Sequence, residues 1–177
     1  IVVATTKLPD DEKIINVARK ANVKVFRGNE KNVLERYYKC SKINKFQNII
    51  RLTSDNPFVD IKFLKNLVEV HLKNKNDYTS SKLNLPIGIG AEIMTFNALK
   101  ISNALSKKKD EKEHVCDYIL KNPIKFRIQN LNFKYKSSKI KKLRLTVDTQ
   151  KDLDFCRKFF VQRLKKIKNK IQYDHNS

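Results

Sequence analysis

No apolar run in the 177 residues approaches the roughly 18 that a membrane span needs. The opening IVVATT is apolar, but no basic segment precedes it and no small-residue cleavage site follows, so it does not read as a signal peptide. The expectation is a soluble cytoplasmic protein. The chain begins with Ile1 and enters a strand-like run at once, which reads as a fragment or a processed chain. Cysteine is sparse: Cys40, Cys116 and Cys156 lie far apart and form no CxxC pair. That excludes the close ligand sets of zinc sites and the even-numbered frameworks of disulfide scaffolds. Buried thiols in a reducing compartment are expected. No Ser-His-Asp or Cys-His arrangement stands out, and no internal repeat or interdomain linker is visible.

What is abundant is positive charge. The net charge is +21, a value that suggests anionic partners. It comes from 31 lysines and only 8 arginines spread along the chain, beside 18 asparagines. A general Lys and Asn bias accounts for most of it without function. Three segments are denser: Lys107 to Lys109, residues 134–142, and residues 163–170. Solvated faces explain such runs, and residues 165–177 read as a basic tail. The signatures of an RNA-recognition motif, zinc spacing or a helix-turn-helix are not found, so nucleic acid is an improbable partner.

Strand and helix patterns alternate. Strands are expected over residues 1–5, 23–26, 48–53, 77–80, 91–96, 125–131 and 143–147. Helices are expected from Pro9, over the face Val33, Leu34, Tyr37, Tyr38 and Ser41, and over residues 61–72, 97–105, 111–120 and 151–168. Residues 85–90 form a Pro/Gly loop. This order predicts one domain over residues 1–177, with helices on both faces of a mixed, mostly parallel sheet. Ligands in such folds lie beyond the C-terminal ends of strands. That rule selects residues 5–10, 27–32, 53–57 and 148–150.

Two strand ends carry a carboxylate. In one, residues 49–57 (IIRLTSDNP), Pro57 turns the chain just after Asp55. In the other, residues 143–149 (LRLTVDT), Asp148 precedes a helix. Each aspartate has a plain alternative as a cap. Together they suit a hard cation, since Mg²⁺ takes one or two carboxylates with waters and phosphate oxygens. Glu92 lies in an apolar strand, where a carboxylate needs a partner. A substrate hydroxyl and a structural partner, Arg51 or Arg144, both remain open. His114 reads either as a helix-start residue or as a sugar contact. Tyr37 and Tyr38 read as core.

Four phrases then occur in one order: VFRGNEKNVLERYY (25–38), IIRLTSDNPFVD (49–60), EKEHVCDYILKNP (111–123) and LRLTVDTQKDLDF (143–155). They resemble the spore-coat-polysaccharide type of cytidylyltransferase, itself similar to the acylneuraminate and 3-deoxy-manno-octulosonate cytidylyltransferases. The resemblance implies a three-layer α/β/α, Rossmann-like GT-A nucleotidyltransferase that uses CTP, Mg²⁺ and a sugar, and is commonly a homodimer. It implies that Asp55 and Asp148 are catalytic metal ligands. Arg27, Gly28, Asn29 and Thr53 fall on the nucleotide side. Glu92, Glu113 and His114 fall on the sugar side. The family's N-terminal strand and basic glycine-containing loop have no counterpart here, so the expected fold is N-terminally truncated, and Ser54 stands where many relatives carry glycine. Two other readings stay open: an inactive remnant with the fold alone, and a basic nucleic-acid-binding module.

Overall fold

The computed structural model describes residues 1–81, 85–132 and 143–174, with side chains through residue 163. The basic segment 134–142 lies outside the described residues.

The β-branched run Val2–Thr6 is strand β1, and a 3-10 turn at Pro9–Asp11 leads into helix α1, Glu12–Lys20. Of the apolar stripe in α1, Ile15 and Ala18 are buried, whereas Ile14 and Val17 are exposed. Strand β2, Lys24–Gly28, lies parallel to β1 with Thr5 opposite Arg27. Helix α2, Val33–Ile43, is capped by Asn32, whose side chain accepts from the Glu35 N–H. It packs against both β1 and β2 and against helix α4, Phe96–Leu105.

A second sheet has the order β3-β5-β4-β6, formed by Asn48–Arg51, Glu92–Thr95, Tyr78–Ser80 and Ile128–Asn130. Strand β5 runs antiparallel to both β3 and β4, and β6 runs parallel to β4. Thus three of its strands share one direction and β5 alone opposes them. The predicted strand over residues 125–131 shortens to three residues. Lys125 is tied into a turn by its N–H to Asn122 O, and Phe126 is buried in the core.

Register assigns the two faces of this sheet. On one face lies the apolar row Ile49, Met94, Tyr78 and Ile128. It joins Leu34, Ala98, Leu99, Val115, Ile119 and Phe126 in the main core. Tyr37 and Tyr38 pack against this core, and Tyr38 stacks on Phe96 at 5.8 Å between centroids. The opposite face is covered by α3, Ile61–Lys73, through Leu67, Ala91 and Ile93. Helix, sheet and helix therefore form three layers. All three cysteines are buried free thiols. Among the described residues, no helix is long and apolar enough to cross a membrane.

Few glycines are available for helix ends. Asn22, Lys45 and Lys75 adopt positive φ (53°, 55° and 50°) after α1, α2 and α3. Each is followed by a closing bond: Val23 N–H to Ala18 O, Phe46 N–H to Ser41 O, Asn76 N–H to His71 O.

On the α3 face His71 is 1% exposed. Its ring nitrogens lie 3.0 Å from Thr79 Oγ1 and 3.1 Å from Asn48 Oδ1. Burial pushes its pKa below the ordinary 6.5, against a smaller opposing pull from Asp77. The unfolded chain therefore binds the proton more readily. Stability is complete above pH 6.5 and falls as pH drops below it. Urea titrations between pH 7 and about pH 5 should show this loss, and His71→Gln should flatten it. An unchanged slope in that variant would assign the loss to other groups.

Candidate active site

At the C-terminal ends of β3, β4 and β6, one row crosses the whole sheet: Arg51 opposite Glu92, Glu92 opposite Ser80, Ser80 opposite Asn130. This polar row follows the apolar one by two residues, on the same face. It forms the floor of a cleft of about 480 Å³. The wall is the corner between two short helices, α5 (Lys109–Glu113) and α6 (Asp117–Leu120), which contributes His114, Cys116 and Asp117. One helix is expected over residues 111–120, but His114 is extended (φ −96°, ψ 95°) and breaks it. The break turns Val115 and Cys116 into the core together with Tyr118 and Ile119.

Glu92 is 4% exposed. Its Oε2 accepts from Arg51 Nη1 at 2.8 Å, and its Oε1 accepts from Tyr78 Oη at 2.6 Å. Of the partners considered for it, Arg51 is therefore present and Arg144 is not. Burial, with Cys116 and Glu92 nearby, pushes the Tyr78 pKa well above the phenolic range, so Tyr78 remains a neutral donor. His114 shares the cleft with Glu92. Glu113 is exposed beside it and does not line the cleft.

The segments that carry the two aspartates are joined by the backbone. The Val147 N–H donates to Asp55 O at 2.8 Å. Segment 143–148 is held on its other side by Leu145 N–H to Ile87 O at 2.8 Å and by a parallel bridge between Ile87 and Arg144. It is thus an extended segment with one bridge, where a full strand is expected.

Neither aspartate serves as a cap. Asp60 caps α3. The last helix, α7 (Gln150–Asp174), starts with a reciprocal Thr149–Asp152 pair: Asp152 accepts from the Thr149 N–H at 2.8 Å, and Thr149 Oγ1 accepts from the Asp152 N–H at 3.3 Å. The Asp148 carboxylate instead accepts from Thr146 Oγ1 and pairs with Arg144. Asp55 is exposed. Thr53 accepts from Asn56 at both its carbonyl and its hydroxyl oxygen, which closes the turn that presents Asp55.

At the ends of β1 and β2, Arg27 ties down the connection between β1 and α1. Its Nε and Nη2 donate to Thr6 O and Leu8 O, and its Nη1 pairs with Glu12. Asp11 accepts from Thr5 and Thr6 hydroxyls and from the Thr6 N–H, bonds that lower its pKa to about 2. Gly28 is buried, and a Cβ there would lie 2.9 Å from Arg36 Cγ. Asn29 Oδ1 accepts from the N–H groups of Lys31 and Asn32. Among the described residues, no three His, Cys, Asp or Glu side chains cluster as a metal cage.

Ser80, Tyr78 and Asn130 do not stand out in the sequence. Their cue is register, and that is visible only after the strands are paired.

The profile of the cytidylyltransferase family matches residues 1–175. An uncharacterized protein of Methanocaldococcus jannaschii is 41% identical over 152 residues, covering 86% of this chain and 62% of that protein. The spore coat polysaccharide biosynthesis protein SpsF of Bacillus subtilis is 36% identical over 155 residues, with 87% and 64% covered. The chain therefore spans less than two thirds of the length of these relatives. Among solved structures, a cytidylyltransferase from Leptospira borgpetersenii superposes with a TM-score of 0.79 at 31% identity, covering 86% of this chain and 64% of that one. A CMP:2-keto-3-deoxy-manno-octonic acid synthetase complexed with CTP shares the fold, with a TM-score of 0.62 at 11% identity over 90% and 80% of the two chains. A Rossmann-like fold, a backbone bond that joins the Asp55 and Asp148 segments, and a family match over nearly the whole length agree: the chain belongs to the cytidylyltransferase family.

Proposed function

We propose that this chain carries out, or forms the larger part of a protein that carries out, transfer of CMP from CTP to a sugar, with release of pyrophosphate. The reading places it in the cytoplasm, in keeping with its buried free thiols. The observation that carries it is the Val147-to-Asp55 backbone bond. It joins the backbone of Asp55 to the residue that precedes Asp148, two segments from distant parts of the sequence.

In the proposed reaction a sugar hydroxyl, or its conjugate base, attacks the α-phosphorus of CTP in line. One P–O bond forms, the bond to the pyrophosphate oxygen breaks, and the hydroxyl proton leaves with solvent or a nearby base. The chain's task is positioning and electrostatics.

The donor set at Asp55 and Asp148 fits Mg²⁺: two hard oxygen ligands on exposed turns, with room for phosphate oxygens and waters. Such a cation, when bound, neutralises triphosphate charge. Asp55 makes no side-chain hydrogen bond among the described residues, and its turn is fixed by Thr53 and Asn56. Asp148 is held by Thr146 and Arg144, so its carboxylate is oriented before any ligand arrives. Arg27, Gly28, Asn29 and Thr53 are assigned to the nucleotide side, where Arg27 and Asn29 keep two strand-end loops in shape. Glu92, Glu113 and His114 are assigned to the sugar side.

The test is the thermal shift with CTP plus Mg²⁺, against ATP plus Mg²⁺ and CTP plus chelator. At a hundredfold excess over Kd a ligand specific for the folded state adds about 2.7 kcal/mol. A CTP-selective, Mg²⁺-dependent shift is expected. Asp55→Asn should abolish it while leaving the unliganded melting temperature within about 2 °C, as for a surface change. A shift that survives in this variant would remove Asp55 from the metal site.

A further inference from the structure

Four rings, Phe58, Phe155, Phe159 and Phe160, form a cluster outside both cores of the sheet. Phe58 is the hub. It stacks on Phe160 with centroids 5.5 Å apart and planes 6° apart. It meets Phe159 edge-on at 5.2 Å and Phe155 at 6.3 Å. The three partners stay 55%, 42% and 42% exposed for Phe155, Phe159 and Phe160 in turn. Single exposed apolar residues are ordinary, but a contiguous patch of them marks a role.

Its place in the chain supplies one. Phe58 follows Asp55 by three residues, and the other rings lie on α7, which begins just after Asp148. The first turn of α7 holds Asp148 itself, since Asp152 Oδ2 accepts from the Asp148 N–H at 3.1 Å. The Val147 N–H donates to Asp55 O at 2.8 Å. Contacts and chain therefore close a ring: from Asp55 to Phe58, across to α7, back through Asp152 to Asp148, and through Val147 to Asp55. The backbone bond fixes one point on each segment, about which the segments can still turn. The stacked rings fix a second point, and two points set the angle between the segments.

We propose that Phe58, clasped by Phe155, Phe159 and Phe160, is a positioning residue that fixes how Asp55 and Asp148 face one another, and so sets the affinity of this pair for a divalent cation. The inference rests on the assignment of both aspartates to the cation in the CMP-transfer reading. The rings act through α7 and its Asp152 cap, not by contact with the cation.

The probe is Mn²⁺ alone, added to the full chain, with binding read from the electron paramagnetic resonance of the free aqua ion. The parent should bind Mn²⁺ at a site that Asp55→Asn removes. Phe58→Ala should weaken that site by about tenfold, the lower end of the cost of losing a group that orients a metal ligand. Phe58→Tyr keeps the ring and should bind as the parent does. Phe160→Ala leaves Phe155 and Phe159 against Phe58, so it should weaken the site by a smaller factor, and it stands in where Phe58→Ala folds poorly. Leu64→Ala, in the packing between α3 and the sheet, is the control for lost stability. It should lower the melting temperature and leave Mn²⁺ binding unchanged.

Parent-like Mn²⁺ binding by Phe58→Ala overturns the proposal. So does a Phe58→Tyr variant as weak as Phe58→Ala, or an equal loss in Leu64→Ala. A parent that binds no Mn²⁺, or binds it unchanged after Asp55→Asn, overturns it as well. Weakened Mn²⁺ binding in Phe58→Ala, in a chain whose parent shows no CTP effect, upholds the clasp and overturns the CMP-transfer reading instead.

Discussion

Glu92→Ala should lower the melting temperature by roughly 6–20 °C. Removing one partner of a buried ion pair costs about 3–5 kcal/mol, because the other charge is left without compensation. For a chain of this length each kcal/mol moves the midpoint by about 2–4 °C. Glu92 is 4% exposed. It satisfies two groups at once, the Arg51 guanidinium and the Tyr78 hydroxyl. Glu92→Gln keeps the volume and one acceptor and should lose clearly less. Circular dichroism melts of the two variants decide the point. Equal and small losses would mean that water replaces the carboxylate and that Arg51 needs no partner.

Gly88→Ala should cost both stability and ligand response. Gly88 has φ +99°, a backbone conformation that L side chains rarely adopt. An added Cβ would lie 2.4 Å from Leu145 O and 2.5 Å from Leu145 C. Those are backbone atoms of the segment that carries Asp148 towards Asp55, so they cannot swing aside like a side chain. The strain and overpacking together cost about 2–5 kcal/mol. Relief requires segment 143–148 to separate from the 85–90 loop. The expected result is a lower melting temperature with loss of most of the CTP-plus-Mg²⁺ shift. This differs from Asp55→Asn, for which the unliganded midpoint should hold. A Gly88→Ala chain with the parent's ligand shift would show that Asp148 does not depend on this contact.

The sequence reveals a feature when its cause is local. The runs ending in Asp55 and Asp148 stand out because an apolar β-branched stretch stops at a carboxylate and a turn. The helical faces of α2 and α3 stand out through their spacing. The alternation of strands and helices anticipates the three layers. The cleft floor is different. Arg51, Ser80, Glu92 and Asn130 become one row only through the order β3-β5-β4-β6 and the pairing register. No window of sequence contains two of them in a telling pattern except Ser80 and Glu92, which are separated by a loop. The break at His114 was hidden for another reason. Residues 111–120 keep good helical spacing, but packing rewards an inward turn at Val115 and Cys116 more than it rewards an unbroken ladder. Glu92 illustrates the intermediate case. Its burial requires a partner whatever the fold, and only the pairing of β3 with β5 chooses Arg51.

That pairing has a consequence for assembly of the sheet. A slip of one residue between β3 and β5 would set Glu92 opposite Ile50 or Leu52, and would turn Arg51 towards the α3 side. An unpartnered buried carboxylate costs several kcal/mol, against a net folding stability of about 5–15 kcal/mol for a whole domain. Misaligned sheets are therefore rejected by the same ion pair that shapes the cleft. Any chain that completes this alignment has also proofread the geometry of the cleft floor.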